Sequence, residues 1–194
     1  MPVATKVLVI NGHPDPSPDR LCAALANAYV EGAAEGGLDV RRLAIGDVDF
    51  PVLRTAAEFS ASAPEGPIRR AQDDVVWADH MVIVHPLWLG GEPALLKAFL
   101  EQVLRYGFAL DPSHKRLRGL LTGRSIRLIV TMGMPAALYR VLFGPTLKPL
   151  MPLMFFFTGF WPIRMTLLGG VADAPPARRF AWLARVRRLG REGR

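Results

Sequence analysis

Residues 81–97 read M-V-I-V-H-P-L-W-L-G-G-E-P-A-L-L-K. Met81 to Val84 is apolar at successive positions, the mark of a strand buried on both faces, as in a parallel sheet covered by helices. The strand runs to His85 and ends at Pro86. Pro93 then suits a first helical position, where the missing N–H has no partner to lose. Apolar residues at 95, 96, 99, 100, 103 and 104 follow at helical spacing. This strand, turn and helix place the chain in the α/β class.

The same alternation extends in both directions. Val7 to Asn11 is a first buried strand, followed by a helix from about Asp19 to Glu35 that stops at Gly36 and Gly37. Leu38 to Ile45 reads as a second strand. A connection rich in Ala, Ser and Pro runs from Asp47 to about Pro67 and reads as a covering loop, ahead of a short helix at Ile68 to Trp77. Beyond the central unit come a strand at Ser125 to Thr131, a helix at 137–151, a strand at Ile163 to Leu168 and a last helix at Pro175 to Arg188. Trp182, Leu183, Val186 and Leu189 share one face of that helix. Right-handed crossovers favour a flavodoxin-like three-layer sandwich, a five-stranded parallel sheet in the order 2-1-3-4-5, as one domain over residues 1–194. Ligands of such sheets bind beyond the carboxyl ends of the strands. The segments 11–22, 86–92 and 131–139 are therefore the place to look for a site.

Composition narrows the classes further. With 194 residues, 51% apolar and 21% charged, the chain is of ordinary globular character. Its net charge of +7 is concentrated at one end: residues 177–194 hold seven arginines against Glu192 alone, and the rest is close to neutral. The ordinary reading of that tail is the solvated face of a terminal helix, contact with an anionic surface or a nucleic acid is the other, and no nucleic-acid partner is expected. Only Val7 to Ile10 is continuously apolar before N-G-H-P-D-P, so no secretory leader is read and a cytoplasmic location is expected. The run Met151, Leu153, Met154, Phe155, Phe156, Phe157, Phe160, Trp161 is broken by Pro152 and Gly159 and is too short to span a membrane. It reads as core or as an apolar subunit interface, with interface preferred.

The first loop has neither the G-x-G-x-x-G of a dinucleotide fold nor a P-loop. G-H-P-D-P-S-P-D-R-L-C follows Asn11 instead, a polar turn feeding a helix whose free N–H groups can hold a phosphate, with His13, Ser17 and Arg20 beside it. A turn that merely caps the helix is the competing reading. Trp88, Gly90 and Gly91 in the second loop let a backbone and an aromatic ring approach something flat, although a core tryptophan is the commoner case. T-M-G-M-P at 131–135 offers backbone groups around a third turn, with Tyr139 on the helix after it. A phosphate at one end and a planar heterocycle at the other describe a flavin nucleotide. His13, His80, His85 and His114 form no metal-ligand pair, and no metal is expected. Cys22 reads as a small buried hydrophobe before it reads as a nucleophile.

On these residues the chain resembles the flavodoxin-like NAD(P)H:quinone oxidoreductases, the group of DT-diaphorase and the drug-activity-modulator proteins. The most specific match is P-L-W-L-G-G-E-P-A-L-L-K-A-F-L-E-Q-V-L at 86–104 with G-F-A-L at 107–110. N-G-H-P-D-P at 11–16 and T-M-G-M-P-A-A-L-Y at 131–139 match more loosely. The resemblance implies FMN or FAD with NAD(P)H as reductant, and a quinone-like acceptor reduced by ping-pong hydride transfer in a homodimer with its pockets at the subunit boundary. It puts phosphate contacts at His13, Ser17, Arg20, Leu21 and Cys22. The segment behind the flavin ring falls on Pro86, Leu87, Trp88 and Leu89, and the pyrimidine edge on Thr131, Met132, Gly133 and Met134. The 86–90 backbone N–H groups would bond the ring, and Tyr139 would assist protonation. Two departures stand out: the histidine that relatives pair with that tyrosine is replaced by Pro145, and Arg20 and Cys22 stand where relatives often have Ser and Asn. The alternative function is a redox-sensing regulatory subunit of a glutathione-gated potassium efflux system, which would give the basic tail and the 149–161 segment a peripheral membrane partner. A one-electron flavodoxin carrier is disfavoured by the near-neutral body.

Overall fold

The computed structural model describes residues 5–111, 113, 118–143 and 150–194. Five strands form one parallel sheet: β1 (Lys6–Asn11), β2 (Asp39–Ala44), β3 (His80–Pro86), β4 (Ser125–Met132) and β5 (Ile163–Gly169), ordered β2-β1-β3-β4-β5. The helices are α1 (Leu21–Glu35), α2 (Ala56–Ser60), α3 (Pro67–Trp77), α4 (Ala94–Val103), α5 (Ala136–Phe143), α6 (Leu150–Thr158) and α7 (Pro176–Arg191). Every residue of β3 is buried, as its unbroken apolar run requires.

Strand alternation sends side chains to two cores. Val7, Val9, Val82, Val84 and Ile129 meet α1 and α7, while Leu8, Ile10, Met81, Ile83, Leu128 and Val130 meet α3, α4, α5 and α6. Burial of a side chain such as Phe99 contributes roughly 1.5–3 kcal/mol. The α1–α7 contact is close enough that a methyl group on Gly32 would overlap the Arg187 backbone, and one on Gly190 would overlap the Tyr29 carbonyl. Part of the arginine-rich tail is thereby tied to α1 by ion pairs at the surface. Arg187 pairs with Glu31 and Glu35, Arg191 reaches Glu35 at 2.5 Å, and Arg179 donates to the Ala174 carbonyl.

Three details differ from the sequence reading. Pro93 caps α4 rather than opening it, with ψ at 144°. The covering loop contains α2, started by Thr55, whose Oγ1 accepts from Glu58 N at 3.1 Å, while Glu58 Oε2 accepts from Arg54 N at 2.8 Å. That T-x-x-E spacing is a capping signal in the sequence itself. Of the helix expected at 137–151, the described residues show α5 and the start of α6, residues 144–149 lying outside the described residues; Pro152, a break in the sequence reading, lies in the first turn of α6, where an N–H needs no partner. α6 buries Met151 and Phe155 and exposes Leu153, Phe156 and Phe157, so this apolar run is core on one side and open surface on the other.

Candidate functional site

Asn11, Pro86 and Met132 end β1, β3 and β4 on one edge of the sheet, in register through the pairs Asn11–Val84 and Pro86–Thr131. With β2 and β3 on opposite sides of β1, this edge is where the strand order reverses. The three predicted turns leave from it and touch one another. Leu87 N donates to the Thr131 carbonyl at 2.7 Å, Cys22 Sγ lies 3.5 Å from Thr131 Oγ1, and the His13 and Trp88 rings meet edge to face at 5.9 Å.

The first turn is built from side chains that bond their own backbone. Asn11 Oδ1 accepts from His13 N (3.2 Å), His13 Nδ1 from Asp15 N (3.0 Å) and Asp15 Oδ1 from Ser17 N (2.9 Å). Because Nδ1 accepts, the neutral ring carries its proton on Nε2, which makes it a donor there. Burial lowers the His13 pKa and favours that neutral form. Arg20 grips Asp15 at 2.6 Å through Nε and 2.5 Å through a terminal nitrogen. The Ser17 N–H, with the Arg20 guanidinium next, holds the Asp15 carboxyl below its usual range. Arg20 is also the N-cap of α1 and gives it no side-chain cap. Among the described residues no group accepts from the N–H of Leu21, Cys22 or Ala23. Cys22 is buried, and that burial pushes its thiol up to about 11, the behaviour of a packing residue.

The second turn is a tight pair, Trp88 N to the Gly91 carbonyl (2.9 Å) and Gly91 N to the Trp88 carbonyl (3.0 Å). Leu89 (φ 49°) and Gly90 (φ 86°) both take the left-handed region demanded by a primed two-residue turn. For Leu89 this costs about 1–2 kcal/mol, and its side chain stands fully in solvent. Pro86 has no N–H, and those of Leu87 and Trp88 are used internally. Of the donors expected across 86–90, Leu89 and Gly90 are thus the ones without an acceptor among the described residues. Trp88 is 49% exposed, so it is not a core tryptophan.

In the third turn the Met132 and Met134 carbonyls accept from Val171 and Gly170, while the N–H groups of Gly133 and Met134 have no acceptor among the described residues. Tyr139 is buried, and burial, then Glu92, raises its pKa, so the phenol keeps its proton at neutral pH. Pro145 and His114 lie outside the described residues.

Beneath the second turn is a cavity of about 290 Å³ bordered by Leu87, Gly91, Glu92, Tyr139, Met151 and His85. Sequence reading passed over His85 except as a poor metal ligand. The signal available was a polar residue at the end of a wholly apolar strand. A larger apolar cavity, about 590 Å³, opens between the 53–59 stretch, α4 and α6, and Glu92 borders both.

A family model described as Flavodoxin-like fold matches residues 5–189. An uncharacterized NAD(P)H oxidoreductase of Haemophilus influenzae is 32% identical over 130 residues, 65% of this chain and 63% of its own length. The glutathione-regulated potassium-efflux system ancillary protein KefG of Escherichia coli is 35% identical over 88 residues, 44% of this chain and 46% of its own. The chain therefore spans less than two thirds of either relative. Among solved structures, an NAD(P)H:quinone oxidoreductase from Methanothermobacter marburgensis superimposes with a TM-score of 0.80 at 20% identity, covering 97% of this chain and 96% of that one. An FMN-dependent NADH-azoreductase from Bacillus anthracis, in complex with FMN, superimposes at 0.74 and 17% identity over 96% of this chain and 97% of that one. At such identities the likeness is one of fold.

Proposed function

We propose, from the premise that this chain belongs to the flavodoxin-like fold family, that it is a flavin-dependent NAD(P)H oxidoreductase reducing quinones or similar small acceptors, with residues 1–194 as one domain. One observation carries this reading: three turns from separate strands meet on one edge and leave backbone N–H groups open at both ends. The open N–H groups of Leu21, Cys22 and Ala23, with the Nε2–H of His13, Ser17 and Arg20, suit a phosphate. Those of Leu89, Gly90, Gly133 and Met134 suit the carbonyl and ring nitrogens of a planar heterocycle. Pro86, Leu87, Trp88 and Thr131 to Met132 shape the walls between. The donor set fits FMN, or FAD through its FMN half, and that cofactor would supply the two-electron chemistry.

The rest falls to the chain. Main-chain donors orient the ring and stabilise charge on it without titrating. Tyr139, protonated at neutral pH, is the group placed to pass a proton. The net reaction is NAD(P)H plus H⁺ plus quinone giving NAD(P)⁺ and hydroquinone, with reductant and acceptor using one pocket in turn. The exposed Phe156, Phe157 and Trp161, beside the open 590 Å³ groove, support a homodimer. Names carried by relatives point the same way, since the Haemophilus and Methanothermobacter proteins are described as an NAD(P)H oxidoreductase and an NAD(P)H:quinone oxidoreductase. The partial match to KefG supports a second reading, a regulatory subunit.

The test is direct. Purified protein offered FMN or FAD should turn yellow, release an identifiable flavin on denaturation, and oxidise NADH or NADPH when a quinone is added. A colourless protein that binds neither flavin ends the proposal, and flavin binding without turnover favours the regulatory reading.

A further inference from the structure

Arg127 lies in β4, on the sheet face that meets α1 and α7, with Val82 of β3 on one side and Arg164 of β5 on the other. It is 7% exposed, and its Nη1 donates to Thr166 Oγ1 at 2.8 Å. Nε is buried and has no partner. Nη2 has none among the described residues either, but unlike Nε it keeps accessible surface. Arg164, the register partner, leaves β5 on the same face, and Arg185 of α7 and Arg194 add their charges at the same place. Among the described residues none of Arg127, Arg164 and Arg185 has an ion pair. The acids of α1 and of the chain end are already taken: Glu31 and Glu35 by Arg187 and Arg191, and Glu192 by Arg194 at 3.2 Å.

Like charges directly opposite on neighbouring strands destabilise a sheet, and a buried guanidinium without an anion adds to that cost. A multivalent anion relieves both at once. Guanidinium forks match phosphate oxygens, and Arg164 and Arg185 are exposed, so they can take an anion from solvent while Arg127 Nη2 offers a donor from the sheet. The place is remote from the edge that bears the three turns: Arg127 precedes Met132, the end of β4, by roughly 16 Å of strand. We propose that Arg127, Arg164 and Arg185 form a second anion site, near the amino ends of β4 and β5, that takes a dissolved multivalent oxyanion of the phosphate class. A recessed guanidinium suits a compact anion better than a flat lipid surface. The site is independent of what the opposite edge binds.

The probe is sodium pyrophosphate, titrated by calorimetry into the full-length protein with FMN in excess, at constant ionic strength. One saturable site is expected. Arg164→Gln, at an exposed position, should weaken it roughly tenfold through loss of a charge-assisted pair, and Arg127→Met by at least as much. Arg70→Gln removes a positive charge from the exposed surface of α3, on the other face of the sheet, and should change the affinity by less than about twofold. Pyrophosphate should also raise the thermal midpoint of the wild type more than that of Arg164→Gln. Should Arg127→Met not fold, Arg164→Gln and Arg185→Gln decide the matter. Absence of saturable binding below about 10 mM overturns the proposal, and so does an equal loss in Arg70→Gln, which would reduce the effect to net charge. A loss confined to Arg20→Ala overturns it by assigning the anion to the α1 start. Sedimentation with phosphatidic acid vesicles in the absence of pyrophosphate binding overturns it as well, by making the basic face a lipid surface.

Discussion

Arg20→Ala separates a phosphate-holding turn from one that only caps a helix. The Arg20 side chain is 54% exposed, so its interaction with a phosphate is that of charges in a nearly aqueous setting. Two unit charges at about 4 Å in water attract by about 1 kcal/mol, and a phosphate monoester carries about −1.5 to −2 at neutral pH. Part of this is offset, because Arg20 must loosen from Asp15 to serve an incoming phosphate and an exposed pair of that kind is weak. The net expectation is a five- to thirtyfold weaker affinity for FMN, roughly one factor of ten per 1.4 kcal/mol. Riboflavin has the same ring and no phosphate, and its affinity should change by less than about twofold. Quenching of flavin fluorescence measures both. Raising salt from about 0.05 to 0.5 M should shrink the difference between wild type and variant. Asp15→Asn should shift FMN affinity the other way, since it removes the negative charge that competes for Arg20 while its amide oxygen still accepts from Ser17 N. Equal losses for FMN and riboflavin, or no loss for either, would refute the assignment of the α1 start as the phosphate end.

Other expectations concern the scaffold. Arg105 is buried and donates to the carbonyls of Glu58, Ala61, Ser62 and Gln102, so it pins the 51–62 loop over the sheet; Arg105→Ala should cost about 2–4 kcal/mol in urea unfolding and make that loop the first site of proteolysis. Gly32→Ala places a methyl group into the Arg187 backbone and should destabilise by about 1–3 kcal/mol or more, while Gly37→Ala, with φ at 74° and open space around it, should cost only about 1; equal effects would refute the close α1–α7 packing. His80 is buried against Ser125, and burial lowers its pKa to about 4. The unfolded chain thus binds a proton that the folded one refuses, and stability should fall by roughly 3 kcal/mol as pH drops from about 6.5 to 4. Urea midpoints for wild type and His80→Gln should converge across that range; a constant gap would show that His80 does not titrate on unfolding.

The amino-acid sequence by itself determined the layers, the strand order and the edge that bears the site. Continuous apolar runs at Val7 and Met81 can only be central strands, helical spacing at 95–104 can only be a covering helix, and chain handedness then leaves little choice of topology. The same local chemistry made the polar turn after Asn11 and the glycines at 90 and 91 legible. What it could not decide was which hydrogen-bonding groups remain open, because that depends on partners distant along the chain. Leu87 N–H is taken by Thr131, and Arg20 is held by an aspartate in its own turn. His85 Nε2 is buried with no hydrogen-bond partner among the described residues. Residue types carry their donors and acceptors with them, but only packing in three dimensions decides which ones are already satisfied and which are left to meet a ligand.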